Sequence, residues 1–275
     1  MTSRALVNPF RGAGVTLRAL LLVSSSGLAG LACSGGSQLT YHAPEAVISR
    51  KALPVAVLGD VDIIDDVIGD TVLVDVGKNK SYGSLILNHA DELLRARKFG
   101  VQNLVLTSVG LIMDRNQIYR YSGSVTAGRG DFVYGRAPFY LDDVIANDSP
   151  FVGRLASTYR TLLTVPVGTL AAGSFRPFSD SMGTRFQGEM LICFILGGYM
   201  VSASDRVMAR PEPLPYGKGL ETESKVTQVS LTMFILDARE GTLLWSDQLA
   251  EKGGNVSTNK LLYLTEQLID RLPDL

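Results

Sequence analysis

The stretch between residues 226 and 272 constrains the fold more than any other part of the chain. Polar and apolar residues alternate over 226–236, which places four apolar side chains on one face: Val229, Leu231, Met233 and Ile235. A period of two predicts a strand with one buried face. The short polar connection 237–241 then predicts a tight turn in which Gly241 takes a positive φ.

A second strand and an amphipathic helix are expected after this turn. The strand covers 242–249 and has Trp245 as its large apolar anchor. Ser257 or Thr258 is expected to cap the helix, whose apolar stripe comprises Leu261, Leu264 or Thr265, Leu268 and Leu272, widened by Leu262 and Ile269. A strand, a turn, a strand and a helix cannot bury their own apolar faces, so the upstream sequence must supply a sheet.

The first half of the chain predicts strands around a helix. An apolar run at 53–58 is a first strand, and 61–69 and 71–76 extend it or pair with it. A helix is predicted over 81–98, with Gly100 as the residue just beyond its end, and a strand follows over 101–109.

The middle of the chain predicts an inserted hairpin, a helix and a central strand. Segments 117–125 and 132–141 are expected to pair across the polar residues between them. Ser149 followed by Pro150 predicts the start of a helix. Residues 164–181 read as a loop, and the apolar stretch 187–199 predicts a central strand.

These elements predict one α/β (α+β) domain over 53–275, with an insertion at 111–148. Their order is β-α-β-(hairpin)-α-β-β-β-α, a mixed β-sheet packed with helices. The chain has 275 residues, of which 46% are hydrophobic and 19% charged, a composition that favours a folded core. A net charge of −1 gives no electrostatic reason to expect nucleic acid as a partner.

Residues 1–32 have the pattern of a signal peptide. Three arginines and no acidic residue accompany an apolar run of about 14 residues, shorter than the roughly 20 of a membrane span. LAGLAC, which ends at Cys33, resembles a bacterial lipobox, although Gly30 stands where that motif usually has leucine. We expect acylation of Cys33, with 33–52 as a flexible tether and Cys193 as a core residue; the alternative is an ordinary secretory signal.

The mature sequence resembles a group of bacterial envelope proteins. The resemblance rests on LPVAVL, ELLRARKFGVQNLVL, the apolar strand around 190–196 and FILDAREGTLLWSDQL. The group comprises the curli-secretion lipoprotein CsgG, the lipoprotein activators of penicillin-binding proteins and the amino-terminal domain of TolB. The resemblance implies a non-enzymatic protein that acts through protein contacts in envelope assembly, secretion or cell-wall regulation. Ser34, directly after Cys33, resembles the pattern of lipoproteins sent to the outer membrane, so we expect an outer-membrane anchor and a domain that faces the periplasm.

An aromatic and arginine-rich segment at 115–140 is the candidate partner surface, since such residues supply most of the energy of protein interfaces. Its alternative is an edge hairpin that covers the sheet. The candidate contact residues are Tyr119, Arg120, Tyr121, Phe132, Tyr134 and Arg136. In the curli branch of the group, hairpins form an oligomeric membrane pore, and 117–141 and 202–225 offer that alternative here.

An enzymatic alternative depends on Asp60 and Asp62. LGDVDII resembles the first motif of haloacid-dehalogenase-type phosphatases, with Asp60 as nucleophile, Asp62 as general acid and Mg²⁺ as cofactor. LVLTS, which ends at Ser108, and FYLDD, which contains Asp142 and Asp143, resemble the second and last motifs of these enzymes. The mechanism also needs a lysine before the last motif, and none occurs between Lys98 and Lys218. We therefore expect no catalytic residues, no cofactor and no metal site, and interpret the acidic residues Asp60, Asp62, Asp65, Asp66 and Asp70 as solvated loop carboxylates rather than calcium ligands.

Overall fold

A computed structural model describes residues 41–42, 54–68, 71–122, 132–166, 169–183, 189–201, 226–252 and 256–272, all within the unit Gln38–Leu275. The predicted signal peptide, Cys33 and the 202–225 connection lie outside the described residues. Two residues of the predicted tether, Tyr41 and His42, form a short strand.

The described residues form eleven strands and five helices. The strands are β1 (Tyr41–His42), β2 (Pro54–Ile64), β3 (Asp66–Ile68), β4 (Thr71–Val74), β5 (Gly100–Val109), β6 (Tyr119–Ser122), β7 (Phe132–Gly135), β8 (Tyr140–Leu141), β9 (Met190–Val201), β10 (Val226–Asp237) and β11 (Leu243–Lys252). The helices are α1 (Val76–Ala96), α2 (Asp143–Ala146), α3 (Ser149–Thr164), α4 (Arg176–Gly183) and α5 (Thr258–Asp270).

Two mixed sheets are built from these strands. The larger has seven strands in the order β1-β11-β10-β9-β2-β5-β8, and β2 runs parallel to both of its neighbours, β5 and β9. The smaller has four strands in the order β3-β4-β6-β7, with β4 and β6 parallel. The α/β class and the order of elements are therefore confirmed.

Helices cover both faces of the seven-stranded sheet. Along β2, Val55 and Val57 pack into a core shared with α1 and α5, whereas Ala56 and Leu58 pack into a second core with α3 and α4. Because successive side chains of a strand point to opposite faces, the central strands are apolar throughout. Each apolar layer buries one face of the sheet.

Strand β10 departs from the prediction of a single buried face. Val229, Leu231, Met233 and Ile235 face α1 and α5 as predicted. On the opposite face, Phe234 and Leu236 are also buried, since α4 and the segment before it cover that end of the sheet. The sequence predicts one exposed face along the whole strand because the residues on that face near the start of β10 are polar.

Helix α1 begins five residues before the predicted start. Asp75 caps it by accepting a hydrogen bond from the Lys78 backbone N–H at 2.9 Å. Within the polar first turn, Asn79 is fully buried, and its side chain accepts a hydrogen bond from the Ile63 N–H at 2.9 Å and donates one to the Ile63 carbonyl at 3.1 Å. At the other end, Lys98, rather than Gly100, has the positive φ, 69°.

The loop prediction for 164–181 is wrong over its last part, and the start of α3 is shifted by one residue. Helix α4 occupies Arg176–Gly183, and Phe178 and Met182 bury there against α3. Eight residues with few apolar side chains gave too short a periodic signal to predict this helix. Asp148, not Ser149, caps α3 by accepting from the Phe151 N–H at 2.9 Å.

The turn between β10 and β11 is confirmed. Gly241 has a φ of 63°, and its carbonyl accepts a hydrogen bond from the Phe175 N–H at 2.9 Å. A Cβ atom at this position would overlap the Arg176 backbone nitrogen. Gly241 is therefore required both by its backbone conformation and by the close approach of the chain that enters α4.

We expect Gly241→Ala to lower the free energy of unfolding by about 2 kcal/mol or more, because alanine is strained at positive φ and would displace the backbone at Arg176. Gly153→Ala is the matched control. Gly153 lies within α3 with nothing within 4 Å of an added Cβ, so that substitution should raise the free energy of unfolding by about 0.5–1 kcal/mol. Urea unfolding of both variants measures the difference, and equal effects would contradict the assignment.

Candidate functional site

The predicted contact residues lie on the four-stranded sheet. Strands β6 and β7 pair antiparallel, with Arg120 opposite Tyr134 and Ser122 opposite Phe132. The predicted hairpin is therefore confirmed for these two strands, while the connection between them lies outside the described residues. The pairing register decides which of the six side chains face the protein and which face outward.

Two of the six predicted residues hold the small sheet together. Tyr119 is only 3% exposed, and its ring meets Phe139 edge-on at a centroid distance of 5.3 Å. Tyr121 lies 4.9 Å from the same ring. Together with Val72, Val74, Met113 and Ala137 they form a third apolar cluster. A partner could not reach Tyr119 without displacing this core.

The other four predicted residues lie on the opposite face of the β6–β7 pair or just beyond its end, and we call them the outer surface: Arg120, Phe132, Tyr134 and Arg136. The Arg120 guanidinium carbon lies 5.3 Å from the centroid of the Phe132 ring, a cation–π contact. Tyr134 is 69% exposed, and Arg136 is exposed beyond the end of β7. Among the described residues, neither arginine has a carboxylate within ion-pair distance.

The interpretation of the acidic residues as solvated loop carboxylates is wrong for three of the five. Asp60 and Asp62 lie inside β2 and are 1% and 5% exposed, and Asp65 follows directly and is also buried. Asp65 pairs with the Lys78 ammonium at 2.9 Å. The side chains of Asp66 and Asp70 lie outside the described residues. Asp60 and Asp62 alternate with apolar residues, which was a signal for one face of a buried strand.

Asp60 and Asp62 form a buried carboxyl pair on the face of β2 that is covered by α3. Asp60 accepts hydrogen bonds from the Ser108 hydroxyl at 2.6 Å and from the Leu111 and Ile112 N–H groups at 3.3 Å each. The Asp62 oxygens accept no hydrogen bond from the described residues, because the nearby Gly110 N–H, which lowers the pKa of Asp62, donates to the Val61 carbonyl at 3.2 Å. Burial raises the pKa of both carboxyl groups, and the neighbouring Asp60 raises the pKa of Asp62 further.

Further polar groups from α3 and β9 surround the carboxyl pair. The Arg160 guanidinium donates to the carbonyls of Met113 at 3.2 Å and of Leu111 and Ile112 at 3.5 Å. The Tyr159 hydroxyl is buried beside Cys193, and burial raises the pKa of that thiol to about 12. Two side chains therefore hold the segment 110–113. Asp60 accepts hydrogen bonds from two of its N–H groups, and Arg160 donates to three of its carbonyls.

This arrangement does not support the phosphatase alternative. That mechanism needs the two carboxylates at an open strand end, whereas both are enclosed within β2. The Ser108 hydroxyl is bonded to Asp60, and Asp142 caps α2 by accepting from the Val144 N–H at 3.1 Å. Throughout the described part of the chain, no three His, Cys, Asp or Glu side chains gather closely enough to hold a metal ion.

One remaining alternative, the oligomeric pore, concerns the membrane. No helix among the described residues combines the length and the apolar character needed to cross a bilayer. The alternative of an oligomeric pore stays a prediction, because 202–225, on which it partly depends, lies outside the described residues.

We expect Tyr119→Ala to lower the free energy of unfolding by about 3–5 kcal/mol, because it empties the apolar cluster beneath β6. Tyr134→Ala is the control on the neighbouring strand, and should change that free energy by no more than about 0.5 kcal/mol. Thermal and urea unfolding of the two variants test the inner and outer assignments. A large loss with Tyr134→Ala would show that the outer surface is part of the core.

Comparisons with known proteins do not assign a family. No protein-family model matches the chain, and no curated protein sequence matches it. Among solved structures, it is similar to a PelC dodecamer from Paraburkholderia phytofirmans, with 11% identity over 85% of this chain and 94% of that chain, and a TM-score of 0.28. It is also similar to the lipoprotein GNA1162 from Neisseria meningitidis, with 13% identity over 79% of this chain and 97% of that chain, at the same TM-score. Similarity at this level carries no argument about function.

Proposed function

We propose that the protein is a lipid-anchored accessory factor of the bacterial envelope that acts through protein–protein contacts. In this proposal residues 1–32 are a signal peptide, Cys33 carries the lipid, and the domain faces the periplasm from the outer membrane. The outer surface binds an envelope protein. The described residues favour binding over catalysis, because the carboxyl groups of Asp60 and Asp62 are buried, whereas the outer surface carries accessible aromatic and basic side chains.

The outer surface carries the proposal. Tyr134 is 69% exposed, and the neighbouring Arg120 is stacked on Phe132, so three side chains with large interface energies lie within one pair of strands. Stacking restrains the Arg120 side chain before any partner binds, which reduces the entropy lost on association. Single exposed apolar residues are common on protein surfaces, but this group is continuous across two strands.

Strand β7 offers a second element of recognition. Within the described residues it pairs only with β6, so its other side presents backbone N–H and carbonyl groups at the edge of the small sheet. An edge of this kind can pair with an extended segment of another protein, and the exposed side chains of Val133 and Tyr134 lie next to it. The basic charge of Arg120 and Arg136 favours an acidic partner segment.

Acylation of Cys33 is tested with radiolabelled palmitate in a bacterial host that processes lipoproteins. We expect the wild-type chain and Cys193→Ala to incorporate the label and to sediment with membranes. Cys33→Ser should do neither, since Cys33 and Cys193 are the only two cysteines. Label that persists in Cys33→Ser, or membrane association unchanged by that substitution, would contradict the anchor.

The contact surface is tested by placing a photoreactive phenylalanine analogue at Tyr134 in cells. The matched control carries the analogue at Tyr263, an exposed tyrosine on α5 that is 53% accessible. We expect a crosslinked product of defined mass at position 134 alone, weakened at least tenfold by Arg120→Ala, which removes the cation beside Phe132. Equal products from both positions, or none from position 134, would exclude the outer surface as the contact site.

A further inference from the structure

The buried carboxyl pair in β2 is a feature that the proposed binding surface does not explain. Asp60 and Asp62 are two residues apart in one strand, so their side chains point to the same face. Two ionised carboxylates this close in a buried site repel each other strongly, whereas one shared proton turns the repulsion into a hydrogen bond. The distribution of hydrogen-bond donors around the pair shows which member would carry that proton.

We propose that Asp60 and Asp62 hold one proton between them in the native protein, with Asp62 as the protonated acid. Loss of this proton would release the segment 110–113 from β2. The site is a proton-binding site, and its ligand is a single proton rather than a metal ion. It is independent of the proposed function, since it lies on β2 and not on the outer surface.

The hydrogen bonds assign the negative charge to Asp60. Its carboxylate accepts from the Ser108 hydroxyl and from the N–H groups of Leu111 and Ile112, at 2.6 to 3.3 Å. Three donors favour the ionised form of a buried carboxyl group. Asp62 is 5% exposed and has no comparable donor within the described residues, so its ionised form would be poorly stabilised. As a neutral acid, Asp62 can donate its proton to Asp60.

The charges of the groups that face the pair are consistent with a single negative charge on the pair. From α3, the Arg160 guanidinium lowers the pKa of Asp62, and the Tyr159 hydroxyl is neutral because burial raises its pKa well above 10. From β9, the Cys193 thiol is neutral, and from β5 the Ser108 hydroxyl is a donor. From β6, Tyr119 is neutral because burial raises its pKa to about 12. Arg160 is the cation that lowers the pKa of Asp62, and one guanidinium balances one carboxylate rather than two.

The segment 110–113 connects the proton site to the small sheet. The Leu111 and Ile112 N–H groups are bound by Asp60, and Met113 packs in the apolar cluster that contains Tyr119 and Phe139. A second negative charge on Asp62 would be relieved if water entered between β2 and this segment. The hydrogen bonds from Leu111 and Ile112 would then be lost first, because they are the longest at Asp60.

The direction of the pH dependence follows from the raised pKa of the pair. The unfolded chain releases both protons near the ordinary Asp pKa of 3.8, whereas the native pair keeps one proton to higher pH. The stabilisation is fully present below the unfolded pKa and is lost as pH rises through the upper pKa of the native pair. Within that window the unfolding equilibrium constant should rise about tenfold per pH unit through this site.

The test measures unfolding of the full chain, purified in detergent, in urea at a series of pH values above 4. The slope of the logarithm of the unfolding equilibrium constant against pH gives the number of protons released on unfolding. We expect this slope to be smaller by about one in Asp62→Asn, because the amide donates to Asp60 without titrating. Asp143→Asn, an exposed carboxyl in the first turn of α2, is the charge-matched control and should leave the slope unchanged. Identical slopes for the wild type and Asp62→Asn would overturn the proposal.

Amide hydrogen exchange of the wild-type protein gives a second test that needs no variant. Protection at Leu111 and Ile112, corrected for the intrinsic pH dependence of exchange, should fall at least tenfold as pH rises through the same window. The internal control is the Phe99 N–H, which donates to the Leu94 carbonyl at 3.0 Å just beyond the end of α1. Protection that stays constant at Leu111 and Ile112, or falls equally at Phe99, would overturn the release of the segment.

Discussion

Strand β9 has to bury both of its faces, and the architecture is arranged around that requirement. From Met190 to Leu196 every side chain is buried, with alternate residues in the two large cores. Such a strand is stable only between two other strands and between two helical layers. β2 and β10 provide the strands, α1 and α5 cover one face, and α3 and α4 cover the other. The chain that enters α4 passes close to the turn after β10, where Gly241 leaves room for its backbone.

The carboxy-terminal unit and the central strand could be predicted because their apolar patterns are long and regular. The parts that could not be predicted depend on contacts distant in sequence. The start of α1 is polar, and its Asn79 is buried only because it binds the backbone of Ile63, sixteen residues earlier. From the sequence alone, Asp60 is expected in an exposed loop. Its burial in a strand depends on hydrogen bonds from residues about fifty positions later, Ser108, Leu111 and Ile112.

The candidate surface shows a different limit of sequence reasoning. The aromatic and basic character of the segment was evident, but an alternating strand has two faces, and either can be the inner one. Pairing with β4 on one side and β7 on the other buries Tyr119 and leaves Tyr134 exposed. Aromatic residues therefore have two uses within the same hairpin. Those on one face stabilise the small sheet, and those on the other are available to a partner.

Cys193 has a practical consequence for experimental studies of this molecule. The side chain lies in the middle of β9 with no exposed surface, and burial raises the pKa of its thiol to about 12. A thiol that is both inaccessible and protonated does not react with alkylating reagents or form mixed disulfides. If Cys33 is occupied by lipid, the chain has no other sulfhydryl group. Alkylation of Cys193 would then report directly how often the central strand becomes exposed, without any label having to be introduced.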